Sequence, residues 1–432
     1  MTTTTIAEST EQQLLLLVKK ALPDVSIDSL QIIKTIEQAS AIGYIVQINP
    51  NSSTDETKQD ESRCYFIKRV EAARYLSTKS DWPDMRRTLL YARTEARFYR
   101  QFASQCGPPS LFPNVYMADY HLSEWIPEEE DGFQPAEERM MQLYPEQLPH
   151  PQQQHGTLIL EYLNDTEYLQ DSPLTVSQCH MSLQAVAQLH AAASQNVELL
   201  QQAATQLSRS SFHLSMRNPK ELKNIVAAWD HFAHEFAEEL EAFSWSRTHL
   251  GRRVQVVAQY VSDQLSVTPN SPFATICHGD YKSMNVFLPR NTTKSAVLVD
   301  FASVGIGLGV TDVAMHLHHC LVPKDLETSE MELVRYYWKT VQDHLDASNA
   351  SAYSWDVVWR QYQFAVVDYF RFFLGRFWKS ATHASMHKFK DNKNVNLINR
   401  SIPAAMAFVG RVDQYLTLVE AEYAKVDESQ SS

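Results

Sequence analysis

The chain has little that would tie it together from outside. Its five cysteines, Cys64, Cys106, Cys179, Cys277 and Cys320, are scattered through 432 residues. No C-x-x-C pair occurs among them, so neither a zinc site nor a disulfide framework is expected. Positive charge is also short. Thirty-eight Lys and Arg face 51 Asp and Glu, a net charge of −13 with no local basic patch, so a nucleic-acid partner is not expected. No uncharged apolar run reaches the ~20 residues of a membrane span. The N-terminal "MTTTTIAEST" lacks the basic and then apolar run of a signal peptide. The expected location is therefore cytoplasmic, with no membrane contact and no obligate protein partner evident.

What remains is ordinary for a globular protein. The hydrophobic fraction is 44% and the charged fraction 21%. At this length two domains are expected, because one core cannot grow that far. No internal repeat is apparent.

Residues 1–27 read as a disordered tail and one helix, "EQQLLLLVKKAL", capped by Ser9 or Thr10 and ended by Pro23. Residues 28–163 carry strand signals: "SLQIIKTIEQAS", "AIGYIVQINP", "RCYFIKRV", "NVYMADYHL" and "GTLILEYL". A helix over about residues 81–103 interrupts them, with Ser80 or Asp81 at its cap and Pro83 in its first turn. A Pro-, Gln- and acid-rich insertion, near 122–156, is expected to be a flexible surface excursion. From residue 164 to 432 the periodicity is helical, with "VSQCHMSLQAVAQLHAAAS" and "PKELKNIVAAWDHFAHEFAEELEAF" each reading as a long helix. The expectation is thus an α+β fold of two lobes: a small antiparallel sheet with one helix, then a larger, mainly helical lobe with the boundary near Leu163–Asn164.

Two polar residues stand out in the first lobe. Lys68 lies inside a strand, and Glu95 shares a helix face with Ala92, Tyr99 and Phe102. A buried cation and a buried anion each need a partner, so the two support each other.

The second lobe holds the densest signal, "ICHGDYKSMNVFL", Ile276 to Leu288. Fifteen residues beyond Asn285, the apolar run "AVLVDFASVG" places Asp300 at a strand end. Asn285 and Asp300 offer the hard oxygen ligands that Mg2+ prefers, and that ion fills its remaining shell with water and phosphate oxygens. Asp280, acceptor-only when ionised, can take or orient a hydroxyl proton. Lys282 can bring positive charge to a phosphoryl group in transfer. His-x-Asp, then Asn five residues on, then Asp-Phe, is the arrangement that phosphoryl transfer uses.

These stretches resemble the protein-kinase-like superfamily. The "HGD" form is similar to its small-molecule branch: aminoglycoside phosphotransferases, choline kinases and the ecdysteroid-kinase-like proteins. "HGDYKSMN" followed by "LVDFASVGIGLGVTDVAMHL" is most similar to the last group and to aminoglycoside-phosphotransferase-like domains, and "TEARFYRQF" also resembles that group. The resemblance spans about residues 30 to 375. It implies a small-molecule kinase that uses ATP and Mg2+, with Asp280 as catalytic base and Asn285 and Asp300 as metal ligands. It further implies that Lys68, paired with Glu95, binds the α/β-phosphates. Adenine would meet the backbone of the hinge "LEYLN", at Glu161, Tyr162 and Leu163. His278 would brace the loop, and Asp312 would anchor the loop backbone.

Some features depart from the family pattern. No G-x-G-x-x-G precedes Lys68; the turn reads "TIEQASAIG". Asp300 is followed by Phe301 and Ala302 rather than Phe-Gly, which speaks against a protein kinase. A catalytically silent nucleotide-binding module is the other alternative, although no catalytic or metal residue is missing. "GIGLG" (Gly305 to Gly309) reads as a loop, Cys277 as a buried small hydrophobe and His190 as a packed helix histidine.

The acceptor would be a small-molecule alcohol, cationic or apolar. The helix "SWDVVWRQYQFAVVDYFRFFLGRFWK" offers aromatic faces (Trp355, Trp359, Tyr362, Tyr369, Phe372, Phe373, Trp378) with Asp356 and Asp368. That composition suits a cation, a sterol-like alcohol or simply a core.

Overall fold

A computed structural model describes residues 9–37, 41–50, 63–76, 82–122, 125–126, 150–194, 196–209, 212–217, 219–241, 249–291 and 294–431. The tail at 1–8, the cap at Ser80 or Asp81 and most of the 122–156 insertion lie outside them. The fold is α+β, an antiparallel sheet in the N-terminal region followed by a mostly helical remainder. The chain divides into two compact units: 1–101, 112–130 and 140–164 in the first, the remainder in the second.

In the first unit, β1 (Ile27–Glu37), β2 (Ile42–Pro50), β3 (Arg63–Glu71), β4 (Val115–His121) and β5 (His155–Glu161) form one sheet of order β1-β2-β3-β5-β4, antiparallel throughout. Lys68 sits in the interior strand, paired with Gly43 on one side and Leu158 on the other. Helix α1 (Thr10–Ala21) starts in a capping box: Ser9 and Gln12 bond each other's backbone N–H. Its Leu14 and Val18, four residues apart, bury against Val46, Ile48 and Ile67 of the sheet. Helix α2 (Trp82–Arg97) packs on β4 and β5. The helical reading over 81–103 is right in place but not in winding: residues Phe98–Phe102 form a wider π turn.

The second unit is built on long helices. Helix α3 (Val176–Ser194) covers the whole stretch that the sequence marked as helical. It packs beside α6 (Pro323–Gln342), while α4 (Leu250–Leu265), α5 (Val310–Cys320) and α8 (Ile402–Ser431) all pack against α7 (Trp355–Arg376). Two small sheets lie among them. In one, β6 (Tyr168–Leu169), β9 (Val286–Pro289) and β10 (Val297–Leu298) pair antiparallel. In the other, β11 (Gly305–Leu308) pairs antiparallel with β8 (Ala274–Cys277) and parallel with β7 (Ser208–Arg209).

β11 corrects the loop reading of "GIGLG". Ile306 and Leu308 alternate with glycines, and a Cβ on Gly307 would stand 2.9 Å from Cys277 Sγ. The missing side chain is what lets the two strands pair over that thiol. Among the described residues, no helix is long and apolar enough to cross a membrane.

Candidate functional site

Strand β8 delivers the chain to His278, and the loop that follows is fastened chiefly through its backbone. Asp312, in the first turn of α5 and fully buried, accepts the N–H of His278 at 2.6 Å and the N–H of Gly279 at 3.0 Å. It therefore anchors the loop, as expected, although it does not cap its own helix. Its Oδ2 is also 3.1 Å from His190 Nε2, and His190 Nδ1 is 2.9 Å from the Tyr337 hydroxyl. His190 is thus a packed histidine with a positioning contact. The turn requires Gly279: φ is +80°, and an added Cβ would stand 2.0 Å from the carbonyl oxygen of Ser303.

His278 braces the loop from inside. Its Nδ1 accepts the Asp280 N–H at 3.4 Å, and its Nε2 lies 2.9 Å from the Val299 carbonyl. A carbonyl only accepts, so Nε2 carries the ring proton. Tyr281, fully buried, donates its hydroxyl to Ser182 O at 2.6 Å. Burial, the largest cause, pushes that phenol well up. Cys277 is buried, and burial raises its thiol too, which fits a small hydrophobe.

Asp280 is the one acid of the stretch Ile276–Leu288; its side chain is 34% exposed, with Lys282 Nζ 3.2 Å from its Oδ2. Asn285 donates Nδ2 to the Asp280 carbonyl at 2.8 Å, and Nδ2 is 3.4 Å from Asp280 Oδ2. That orientation leaves Asn285 Oδ1 as an acceptor. Val299 N–H donates to Asn285 O at 3.0 Å, so the backbone leading to Asp300 is laced to the backbone of Asn285. Asp300 has φ 67° and ψ 61°, the left-handed region, which Asp tolerates better than most residues. An amide oxygen and a carboxylate carried on such adjacent backbone suit a hard divalent cation.

In the first unit, Lys68 Nζ lies 2.7 Å from Glu95 Oε2, and both side chains are buried. The helix face bearing Glu95 thus turns toward the strand bearing Lys68, the pairing expected from two otherwise costly buried charges. Glu161 accepts from Asn114 N and Nδ2 at 3.1 and 2.8 Å, so its carboxylate ties β5 to the start of β4. Leu163 is buried and Tyr162 half-buried.

The aromatic helix α7 is mostly core. Tyr362, Tyr369, Phe373 and Trp378 are buried; Trp355 and Trp359 are half-buried and stack at 5.4 Å. Asp368 is not open to a ligand cation: Arg371 Nε binds it at 2.7 Å, both are buried, and Arg371 Nη2 reaches the Phe212 carbonyl. Asp356 is exposed. Burial first, and then the charge of Asp280, push the Tyr369 phenol well up, and Asn396 Nδ2 donates to it at 2.8 Å.

Sequence reasoning missed His316 and Ser182. His316 lies one turn beyond Asp312 on α5, a four-residue spacing that could have flagged it. Its Nδ1 is 3.3 Å from Tyr281 O and its Nε2 2.6 Å from Ser182 Oγ.

Residues 122–350 match the model of the ecdysteroid kinase-like family. No curated protein matches the sequence. Among solved structures, the chain is similar to amicoumacin kinase in complex with AMP-PNP and Ca2+, at 12% identity over 96% of this chain and 94% of that one, TM-score 0.43. It is similar also to the microcompartment-associated aminopropanol kinase, at 10% identity over 95% of this chain and 98% of that one, TM-score 0.38.

Proposed function

The chain belongs to the ecdysteroid kinase-like family, and on that premise we propose that it transfers the γ-phosphoryl group of ATP to a hydroxyl of a small molecule, with Mg2+. The observation that carries this reading is the loop Ile276–Leu288. Asp312 and His278 hold its backbone, while the Asp280 carboxylate stays a third exposed. Rigid backbone under an accessible carboxylate is what orienting a hydroxyl requires.

In this reading Asp280 accepts the hydroxyl proton of the acceptor as its oxygen approaches phosphorus. Lys282, 3.2 Å away, orients that carboxylate and adds positive charge beside the transferring group. Asn285 Oδ1 and the Asp300 carboxylate would hold Mg2+, which when bound neutralises phosphate charge. Lys68, fixed by Glu95, binds the α/β-phosphates, and the backbone of Glu161 to Leu163 meets adenine. Asp368 is committed to Arg371, which removes one of the two carboxylates that a cationic acceptor would use. Asp356 stays exposed, so the acceptor is a small-molecule alcohol, cationic or apolar.

The test combines thermal shift with turnover. ATP with Mg2+ raises the melting temperature, and ATP is consumed with one or more alcohols of an acceptor panel. Asp280→Asn lowers turnover by ~10²–10⁴, the usual worth of a positioned base, while the nucleotide-induced shift persists. A protein that ATP and Mg2+ never stabilise, or an Asp280→Asn variant as fast as the wild type, refutes the assignment.

A further inference from the structure

A second cluster lies behind the loop, and phosphoryl transfer makes no use of it. Cys179 on α3, with His316 and Cys320 on α5, bring two Sγ atoms and an imidazole nitrogen within 4.8 Å of one another, all fully buried. His316 and Cys320 are four residues apart, so one face of α5 presents both. Cys179 meets them from the other helix, 137 residues earlier in the chain.

The hydrogen bonds around His316 leave a deficit. Its Nδ1 faces the Tyr281 carbonyl, an acceptor only, so Nδ1 carries a proton. Its Nε2 faces Ser182 Oγ at 2.6 Å, yet that hydroxyl donates to the Cys179 carbonyl at 2.8 Å. One hydroxyl hydrogen cannot serve both acceptors, so one of the two is short of a donor at that contact. A histidine whose other nitrogen donates to a backbone carbonyl is how proteins prepare an imidazole for a metal.

We propose that Cys179, His316 and Cys320 bind one thiophilic d10 cation, zinc or copper(I), which ties α3 to α5 behind the catalytic loop. Zinc binds sulfur at about 2.3 Å and nitrogen at about 2.0 Å, so tetrahedral ligand atoms stand roughly 3.5–3.8 Å apart. Atoms already inside 4.8 Å need close by only about 1 Å. Two thiols and an imidazole discriminate against Mg2+, which takes hard oxygens, so the site does not compete with Asn285 and Asp300 for one ion. Each ligating thiol releases its proton to solvent, so uptake is pH-dependent. Metal on Nε2 strengthens the Nδ1–H bond to Tyr281, the residue between Asp280 and Lys282.

The experiment uses the full chain, reduced and stripped with a chelator, then titrated with Zn2+ or Co2+ against a chromophoric chelator and with Cu+ under reductant. About one ion per chain is expected, with a thiolate-to-cobalt charge-transfer band and a raised melting temperature. Cys179→Ala or Cys320→Ala abolishes the band, whereas Cys64→Ser keeps it. If either alanine variant fails to fold, the wild-type titration still decides. Absence of a thiolate band with an unchanged melting temperature overturns the proposal. A band that persists in both alanine variants overturns it as well. These readouts do not depend on phosphoryl transfer, so they stand or fall apart from the proposed activity.

Discussion

Asp312 grips the backbone N–H of His278 at 2.6 Å across 34 residues of sequence. One carboxylate, with no exposed surface, also serves Gly279 and His190. Asp312→Ala strands three donors in the core, and such a loss costs about 3 kcal/mol or more. Urea denaturation should show that drop. A variant within about 1 kcal/mol of the wild type would mean that the loop finds other acceptors.

Gly279 is fixed by two separate constraints, its φ of +80° and the 2.0 Å approach to Ser303 O. Gly279→Ala must therefore shift the loop rather than fill a gap, at about 2–4 kcal/mol. Turnover should fall with stability, and circular dichroism melts alongside an ATP-consumption assay would separate the two losses.

Lys68 and Glu95 form a buried pair at 2.7 Å. Removing one partner leaves a stranded charge. Lys68→Met alone should therefore cost about 3–5 kcal/mol, and Lys68→Met with Glu95→Leu markedly less than the sum of the two single changes. The double variant should recover stability without recovering nucleotide binding. A double variant whose loss equals the sum of the two single losses would show the two residues to be independent.

His318 predicts an acid-side loss of stability. Burial and then the charge of Arg411 pull its pKa down to about 3, against an ordinary value near 6.5. The unfolded chain thus takes a proton that the folded chain refuses. The contribution is complete above pH ~6.5 and declines as pH falls from there toward ~3, by roughly 1 kcal/mol per pH unit. His319, lowered by burial, has the same sign. Glu330, 3.8 Å from His318 Nε2 and raised by burial, has the opposite sign. The His318→Leu variant should show a shallower decline than the wild type in urea titrations between pH 5 and pH 7; parallel curves would reject the assignment.

The sheet was legible because its five strands are long, β-branched and bounded by turn residues, so pattern alone reaches them. The same holds for α3, whose 19-residue run was read whole. Short elements were not legible. β6 has two residues, too few for any periodicity, and is recruited only because β9 offers an edge. The stretch from Pro219 breaks at Asn224 and Phe236 into three helices that hydropathy read as one. In the site, charged and amide residues close in sequence could be recognised together. The Cys179–His316–Cys320 cluster could not, because its first member is contributed by a helix far away in the chain, and nothing local announces that meeting.

The left-handed backbone at Asp300 bears on how any variant there must be interpreted. Alanine would remove a carboxylate and also place an unsuited residue at a positive φ, so a dead Asp300→Ala enzyme could reflect a distorted turn instead of a lost ligand. Asparagine shares the tolerance of aspartate for that conformation. Position 300 thus admits one clean control, an isosteric swap that alters charge and leaves the fold of the turn intact.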